Sequence, residues 1–352
     1  MPTTKDKQVK GAKISFKPKQ VTKKLIGHLQ DRSHDVVVSR FGLGTDLEHR
    51  TLEAIGSKYG ITRERVRQIE HAALQAIRKH SAFKEEGPVF NELKSLMKDL
   101  GSLIEEDELL ENVSTDKSTQ NHIHFYLVLG DDFKKIKEDE HFKSRWHVDE
   151  ELANQVHSAL HSLYSSLGDT ELVTEGDFIT KFIEHCRKEN AEILSDEVAK
   201  RYLRTSKKIG KNPLGEWGKA GTSGVKTRGI KDYAYLMMRK HGSPMHFREV
   251  AKAISETFGK KTHTATCHNE LIKDDRFILV GRGIYALKEW GYKPGIVREV
   301  IKDIIKKYGP LSKEDIVDHV MKERYLKKNT ILVNLQNAKY FKKNKNSLYT
   351  LS

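Results

Sequence analysis

Residues 62–71 carry the side chains that proteins use to read base edges in duplex DNA. An arginine can donate two hydrogen bonds to O6 and N7 of guanine, a glutamine can pair with adenine, and a glutamate can accept from N4 of cytosine. On a helix these residues would share one face, which would be chemically suited to a major groove. The face consists of Arg63, Glu64, Arg67, Gln68 and His71.

Periodicity and a capping residue predict the elements that would position this face. The segment 51–80 divides into a helix, a turn at residues 59–61 and a longer helix. Thr62 precedes the longer helix, where a hydroxyl can satisfy free N–H groups. Apolar residues then recur at three- and four-residue spacing and predict one buried face, made of Val66, Ile69, Ala73 and Ile77. On an isolated helix such a charge mixture is more often a solvated face, but the helix-turn-helix context favours DNA binding.

Residues 20–84 resemble region 4 of housekeeping-type bacterial sigma factors, above all in RFGL at 40–43 and in TLEAIGSKYGITRERVRQIEHAAL from residue 51. That family reads the upstream promoter hexamer and contacts the polymerase flap. The resemblance implies that Arg63, Glu64 and Gln68 contact bases. It also implies supporting phosphate or base contacts from Thr62, Arg65 and Arg67, and it adds RNA polymerase core as a second partner besides double-stranded DNA.

Two departures from the family pattern limit this resemblance. Ala72 stands where family members usually carry a lysine that helps to hold the DNA backbone. In the family the module is C-terminal, whereas here it comes first, and we find no aromatic-rich promoter-melting segment. We therefore expect that the chain is not a complete sigma factor.

Charge is divided unevenly along the 352 residues. Residues 1–84 carry 18 basic and 8 acidic residues, residues 85–199 carry 11 and 27, and residues 200–352 carry 34 and 14, for a net charge of +14. Basic ends suit a polyanion, because each neutralised phosphate releases condensed counterions. The alternative is that lysine-rich helices only keep the protein soluble. Residues 1–19 hold six lysines among small and polar residues. They are predicted to be a disordered basic arm that either follows DNA phosphates or acts as a solubilising tail.

Four later segments share an opening, in which a short break with one apolar residue leads into an amphipathic helix. Each segment also ends around an aromatic residue, and an internal period of this size predicts an array of related domains. The opening residues, spaced by 70, 72 and 66, are Leu103, Val173, Met245 and Leu311, and the closing ones are Trp146, Trp217, Trp290 and Tyr349. We predict a mainly α fold, in which a sigma region 4-like helix-turn-helix is followed by tandem winged-helix-like units with small β-hairpin wings. The predicted units cover residues 85–147, 148–219, 226–291 and 293–352.

The third unit has the sharpest pattern. Residues 277–280 and 284–287 are predicted strands around Gly281-Arg282-Gly283, a tight turn with a cation at its tip. The unit is similar to the HARE-type helix-turn-helix domain, a winged-helix family that binds DNA in some contexts and protein in others. By this resemblance the helix from Thr262 to Lys273 would approach a partner, with Arg282 on the wing.

The fourth unit ends in lysines that would lie on its wing. Lys342, Lys343 and Lys345 are predicted to hold phosphates, with a solvated turn as the alternative.

Several patterns that could support catalysis or metal binding are incomplete. The segment 218–227 resembles a phosphate loop, but Val225 separates Gly224 from Lys226, so we predict a linker. His263 and Cys267 lie four residues apart without the second ligand pair that structural zinc needs. Residues 105–108, Glu-Glu-Asp-Glu, fit the first turn of a helix, where negative charge is favourable. We predict no enzyme activity, no cofactor and no metal.

The same sequence bears on location. Two distant cysteines exclude a disulfide framework and favour a reducing cytoplasm, and no apolar run is long enough for a membrane span. We predict a cytoplasmic, nucleoid-associated, sequence-specific DNA-binding transcription regulator related to sigma region 4. The alternatives are an RNA polymerase-associated accessory protein, similar to the delta subunit, and a recognition subunit for DNA modification or restriction.

Overall fold

A computed structural model of the chain describes residues 14–292 and 295–352, and the predicted arm lies outside the described residues up to residue 13. The chain divides into two compact units. The first runs to Gly210 and includes Trp217–Ala220, and the second consists of Lys211–Glu216 and Gly221–Ser352. The described residues are mainly helical with small antiparallel sheets, which confirms the predicted fold class.

Five helices open the first unit. Glycines in the left-handed region end two of them, Gly42 at φ 59° and Gly60 at φ 62°. Thr51 caps the third helix by accepting a hydrogen bond from the backbone N–H of Ala54. The helices are α1 (Pro18–Ile26), α2 (Asp31–Phe41), α3 (Leu52–Tyr59), α4 (Arg63–Lys79) and α5 (Ser81–Glu85).

Two winged-helix-like units follow in the chain, each as a helix, a short strand or bridge, two helices and a hairpin. Glu105 caps the second helix of the first winged unit by accepting from the N–H of Glu108, in agreement with the predicted acidic first turn. The first consists of α6 (Gly87–Asp99), β1 (Leu103–Glu105), α7 (Glu106–Val113), α8 (Lys117–Leu129), β2 (Lys134–Ile136) and β3 (Arg145–His147). The second consists of α9 (Glu150–Ser166), α10 (Glu175–Lys188), α11 (Asp196–Thr205), β4 (Ile209–Lys211) and β5 (Trp217–Lys219).

The second compact unit repeats this order twice. Its third winged unit consists of α12 (Ile230–His241), β6 (Met245–His246), α13 (Phe247–Phe258), α14 (Thr264–Lys273), β7 (Phe277–Gly281) and β8 (Ile284–Leu287). Its fourth consists of α15 (Val297–Tyr308), α16 (Lys313–Glu323), α17 (Lys328–Leu335), β9 (Phe341–Lys343) and β10 (Tyr349–Leu351).

The four opening residues recognised in the sequence occupy one structural position. Each pairs antiparallel with a wing strand, as Leu103 with His147, Val173 with Trp217, Met245 with Tyr285 and Leu311 with Tyr349. The closing aromatic residues do not all occupy the partner position, because His147 rather than Trp146 pairs in the first unit, and Tyr285 pairs in the third while Trp290 lies in a 3-10 turn after the strand. The predicted linker at 218–227 likewise begins inside a strand, since Gly218 and Lys219 belong to β5.

One hydrophobic core crosses the boundary predicted at residues 84 and 85. It joins Leu25 of α1 and Ile77 of α4 to Leu93 of α6 and Phe125 of α8. Ile14 and the nearby Phe16 also pack against this core and Pro18 begins α1, so the prediction of a disordered arm is wrong for residues 14–19. Helices α1–α5, called the sigma-like helices below, and the first winged unit are therefore stabilised by one shared hydrophobic core.

Polar contacts fix the sigma-like helices on α8. Asn121, 1% exposed, donates from its side-chain amide to the backbone carbonyls of Gly42 and Leu47, both at 2.9 Å. Tyr126, fully buried, donates to the carbonyl of Pro18 at 2.5 Å and shares a hydrogen bond with Thr22 at 2.7 Å. These bonds hold the loop between α2 and α3 and the start of α1.

Replacing Asn121 with leucine should lower the free energy of unfolding by about 2 kcal/mol, because two carbonyls facing this helix lose their donor. Urea unfolding of both proteins measures the difference. Asn154→Leu, on the exposed surface of α9, serves as the control and should change stability by less than about 0.5 kcal/mol. Equal stability of Asn121→Leu and the parent protein would contradict a structural role for these bonds.

The third and fourth winged units are joined along one edge of β7. The backbone N–H of Tyr325 donates to the carbonyl of Val280 at 3.0 Å, and the buried guanidinium of Arg324 lies 3.5 Å from the carbonyl of Leu279 and 3.3 Å from that of Gly295. A Cβ at Gly281 would lie 2.5 Å from the carbonyl oxygen of Tyr325, so only glycine permits this approach.

Candidate nucleic-acid interface

The polar face of α4 lies on the protein surface. Thr62, Arg63, Glu64, Arg65, Arg67 and Gln68 are all exposed, while Val66, Ala73 and Ile77 are buried beneath them. The hydroxyl of Thr62 accepts from the backbone N–H of Arg65 at 3.2 Å and caps the helix as predicted. The six residues of this segment that were predicted to contact DNA therefore lie exposed at the start of one helix.

Side chains on this face pair with one another across one helical turn. Glu64 accepts two hydrogen bonds from Arg67, at 2.7 and 2.8 Å, and these bonds lower the pKa of the Glu64 carboxyl. Arg65 donates to the side-chain oxygen of Gln68 at 3.1 Å. Exposed pairs of this kind contribute little to stability, so their groups are available to exchange partners with a ligand. Arg63 forms no ion pair or hydrogen bond through its side chain with any residue of the described ranges.

A tight turn and a small core set the angle of α4. The backbone N–H of Ile61 donates to the carbonyl of Gly56 at 3.0 Å, and a Cβ on Gly56 would lie 2.6 Å from the carbonyl oxygen of Ile61. The side chains of Val36, Ile55 and Val66 form a separate buried cluster between α2, α3 and α4. Any residue larger than glycine at position 56 would open this turn and tilt the polar face.

The third helices of the first two winged units, α8 and α11, pack against neighbouring modules within the first compact unit. Eight of the 13 residues of α8 are buried, and its polar residues bond the sigma-like helices. In α11, Tyr202 donates to the carbonyl of Gly101 and Arg204 pairs with Glu108 at 2.7 Å. Both helices hold neighbouring modules together, which leaves α4 as the uncovered second helix of a helix-turn-helix pair in the described part of this unit.

The third winged unit places Arg282 where it was predicted, exposed at the tip of the turn between β7 and β8. Gly283 takes φ 73° in this turn, a conformation that favours glycine. The helix predicted to begin at Thr262 begins at Thr264 as α14. Its exposed residues are mostly small and uncharged, and they include Thr264, Ala265, Thr266 and Asn269.

The fourth winged unit exposes all three predicted wing lysines. Lys342 and Lys343 belong to β9 and Lys345 lies in the turn that follows, and none of them pairs with a carboxylate in the described ranges. The ammonium of Lys343 lies 5.1 Å from the centre of the Tyr349 ring, a cation–π contact across the hairpin. The wing lysines are recognisable in the sequence by their charge, whereas the helix α17 that precedes them has no such pattern.

Other candidate chemistry does not come together in the described ranges. Cys267 is buried, and burial raises the pKa of its thiol to about 11, which disfavours the thiolate that a metal needs. No group of three or more histidine, cysteine, aspartate or glutamate side chains is arranged to hold a metal ion among the residues with described positions. Within the same ranges, no helix has both the length and the apolar composition needed to cross a bilayer.

Comparison with known proteins identifies two segments. Residues 25–79 match the family model of sigma-70, region 4, and residues 228–290 match that of the HARE helix-turn-helix domain, whose description includes ASXL and restriction endonuclease. Both resemblances found in the sequence are thereby confirmed. Together they show that the chain carries a sigma-factor-like helix-turn-helix and a HARE-type helix-turn-helix.

Similar curated proteins align with the first of these segments. RNA polymerase sigma factor RpoS of Coxiella burnetii is 51% identical over 53 residues, 15% of each chain. RNA polymerase sigma factor SigA of Listeria monocytogenes is 43% identical over 67 residues, 19% of this chain and 18% of the sigma factor. RNA polymerase sigma factor RpoD of Helicobacter pylori is 46% identical over 54 residues, 15% of this chain and 8% of the sigma factor. The chain therefore covers less than a fifth of the length of these sigma factors.

Proposed function

We propose that this protein is a sequence-specific DNA-binding transcription regulator that uses α4 to read promoter-type duplex DNA and catalyses no reaction. The observation that carries the proposal is the exposed Arg-Glu-Arg-Gln face of α4 within a sigma region 4 module. A capped helix of 17 residues that projects these side chains has the dimensions and the hydrogen-bonding groups that a major groove accepts.

Individual residues have distinct roles in this proposal. Arg63, Glu64 and Gln68 read base edges, while Thr62, Arg65 and Arg67 support them at phosphates or bases. Arg282 and the wing lysines Lys342, Lys343 and Lys345 hold phosphates, which fixes orientation without reading sequence. Double-stranded DNA is the main partner, and the protein acts at the nucleoid in the cytoplasm.

Binding to a promoter-like duplex and to a scrambled duplex of equal length, across a salt series, tests this function. We expect tighter binding to the promoter-like duplex at every salt concentration, because base contacts add to a shared phosphate term. Equal affinity for the two duplexes throughout the series would contradict sequence-specific regulation.

Removing two wing lysines should weaken binding to both duplexes equally. For Lys342→Ala/Lys345→Ala we expect the slope of log affinity against log salt to become shallower by about 1.8, the value for two lost phosphate contacts. Lys313→Ala/Lys322→Ala, which removes two exposed lysines from α16 instead, is the charge-matched control and should keep the steeper slope. Identical slopes for the two variants would show that the wing lysines do not contact DNA phosphates.

A second candidate function is that of an RNA polymerase-associated accessory protein. It is supported by the matched relatives, each of which is named an RNA polymerase sigma factor. Pull-down with core polymerase in the absence of DNA separates the two functions. Tight DNA binding without polymerase association would rule out the accessory role.

A further inference from the structure

The only charged side chains among the last 29 residues of the sequence are basic. From Arg324 to Ser352 there are seven lysines and arginines and no aspartate or glutamate. Six of the seven are exposed lysines, and within the described ranges none of them pairs with a carboxylate. These are Lys327, Lys328, Lys339, Lys342, Lys343 and Lys345. Uncompensated like charges repel one another, so such a surface favours an anionic partner.

The helix α17 lies near the start of this basic segment. Ile331 and Leu335 anchor it in the core of the fourth winged unit, which leaves Asn329, Thr330 and Val333 on the outside. Val333 is 67% exposed and lies one helical turn after Asn329. An asparagine can pair with adenine at N6 and N7, and an apolar side chain can contact the methyl group of thymine.

Helix and wing pack on one core. Phe341 of β9 lies in the same hydrophobic core as Ile331 and Leu335 of α17. Asn344 fixes the wing turn: its side-chain oxygen accepts from the N–H groups of Asn346 and Leu348 at 3.0 and 2.9 Å.

A cluster of cations beside the wing adds to the positive charge. The ring of Tyr340 is contacted by Arg298, Lys302 and Lys339, at 4.1, 4.6 and 5.9 Å from its centre. The acidic residues of the fourth unit lie before residue 324, four of them on α16, at Glu314, Asp315, Asp318 and Glu323. Charge within this unit is therefore segregated by position in the chain.

We propose that α17 and the wing of the fourth unit form a second surface that binds duplex DNA. In this arrangement α17 enters a major groove, Asn329 pairs with an adenine, Val333 contacts a thymine methyl group, and the six lysines hold flanking phosphates. The shape of the surface favours DNA over RNA, because the major groove of an RNA duplex is too narrow for a helix. This goes beyond the proposed function, since the surface reads bases whether or not α4 does.

Selection of sequences from a pool of random DNA duplexes, with the full chain, tests the second surface. The parent protein is compared with Arg63→Ala/Gln68→Ala, which disables α4, and with the same variant that also carries Asn329→Ala/Val333→Ala. An additional Asn154→Ala/Leu194→Ala pair replaces the α17 pair in the control, since both residues are exposed in the second winged unit.

We expect the variant with α4 disabled to enrich a motif that contains A·T pairs, and the control to enrich the same motif. Adding Asn329→Ala/Val333→Ala should lower the affinity ratio of that motif to scrambled DNA by about ten-fold. Duplex RNA of the same sequence should compete weakly.

Three results would overturn the second surface. If the parent protein enriches a motif and the variant with α4 disabled enriches none, α4 is the sole reader and the proposed function stands alone. If neither enriches a motif, both proposals fail. If duplex RNA competes as well as the DNA motif, the surface is not a major-groove DNA reader.

Discussion

Replacing Arg63 and Gln68 with alanine is expected to abolish the preference for a promoter-like duplex while leaving non-specific binding and folding intact. A good bidentate contact is worth about 1–3 kcal/mol of discrimination, so losing two should cost about 2–6 kcal/mol. Both side chains are exposed, and removing them leaves the core beneath α4 unchanged. Titration of the two duplexes at fixed salt, with each protein, measures the loss.

The same helix supplies a matched control. Gln75→Ala/Lys79→Ala also removes one glutamine and one cation from exposed positions of α4, but at its C-terminal end. At 1.5 Å per residue, Lys79 lies about 24 Å along the helix axis from Arg63. It is therefore too far away to contact the bases that Arg63 reads. The control should keep its sequence preference. If the Arg63 and Gln68 variant keeps its preference too, α4 does not read bases.

The first compact unit should lose stability as the pH falls from about 4.5 towards 2, and Glu106 should account for a large part of that loss. Lys135 lies 2.6 Å from the Glu106 carboxylate, Ser144 donates to it at 2.6 Å, and His124 lies 3.3 Å away. Burial alone would raise the pKa of this carboxyl, but these hydrogen bonds outweigh burial and lower the pKa to about 2.

The direction in which stability changes with pH follows from the lowered pKa of Glu106. A carboxyl with a lower pKa in the folded state contributes stability that is complete above its unfolded pKa and is lost as the pH falls through the folded pKa. The shift corresponds to about 3 kcal/mol. Urea unfolding from pH 7 to pH 2, compared between the parent protein and Glu106→Gln, isolates this carboxyl from other groups such as His157, whose pKa burial lowers to about 4.

The difference between the two proteins is the informative quantity. The stability gap should be widest above pH 4.5 and should close towards pH 2, because the parent protein then loses what the variant already lacks. A constant gap across the range would mean that the Glu106 network does not shift this pKa.

Local patterns in the sequence were sufficient for α4 and for the repeated units. The cap at Thr62 and the apolar spacing of Val66, Ala73 and Ile77 determine the register of one helix, and that register decides which side chains face outward. The opening residues such as Leu103 and Leu311 were recognisable because each unit needs one apolar residue to begin its sheet.

Long-range packing was not predictable in the same way. The partners of Asn121 and Tyr126 lie 74 to 108 positions earlier in the chain, and polar residues such as Asn121 do not by their type indicate a buried helix. The shared core of the sigma-like helices and the first winged unit was missed for this reason. The exposed face of α17 was not recognised as a candidate site because Asn329 and Val333 form no charge pattern, whereas the lysines of the adjoining wing do.

The most direct test of the account is to attach a DNA-cleaving reagent to α4. Ala72 is exposed one helical turn beyond Gln68, and Ala72→Cys provides a reactive thiol there, since the native Cys186 and Cys267 are both buried. With the reagent at position 72 we predict cuts confined to a few base pairs within the preferred site. Ser165→Cys, exposed on α9, is the control attachment and should not reproduce that pattern. Tight, sequence-specific binding without localised cuts from position 72 would contradict the insertion of α4 into the groove.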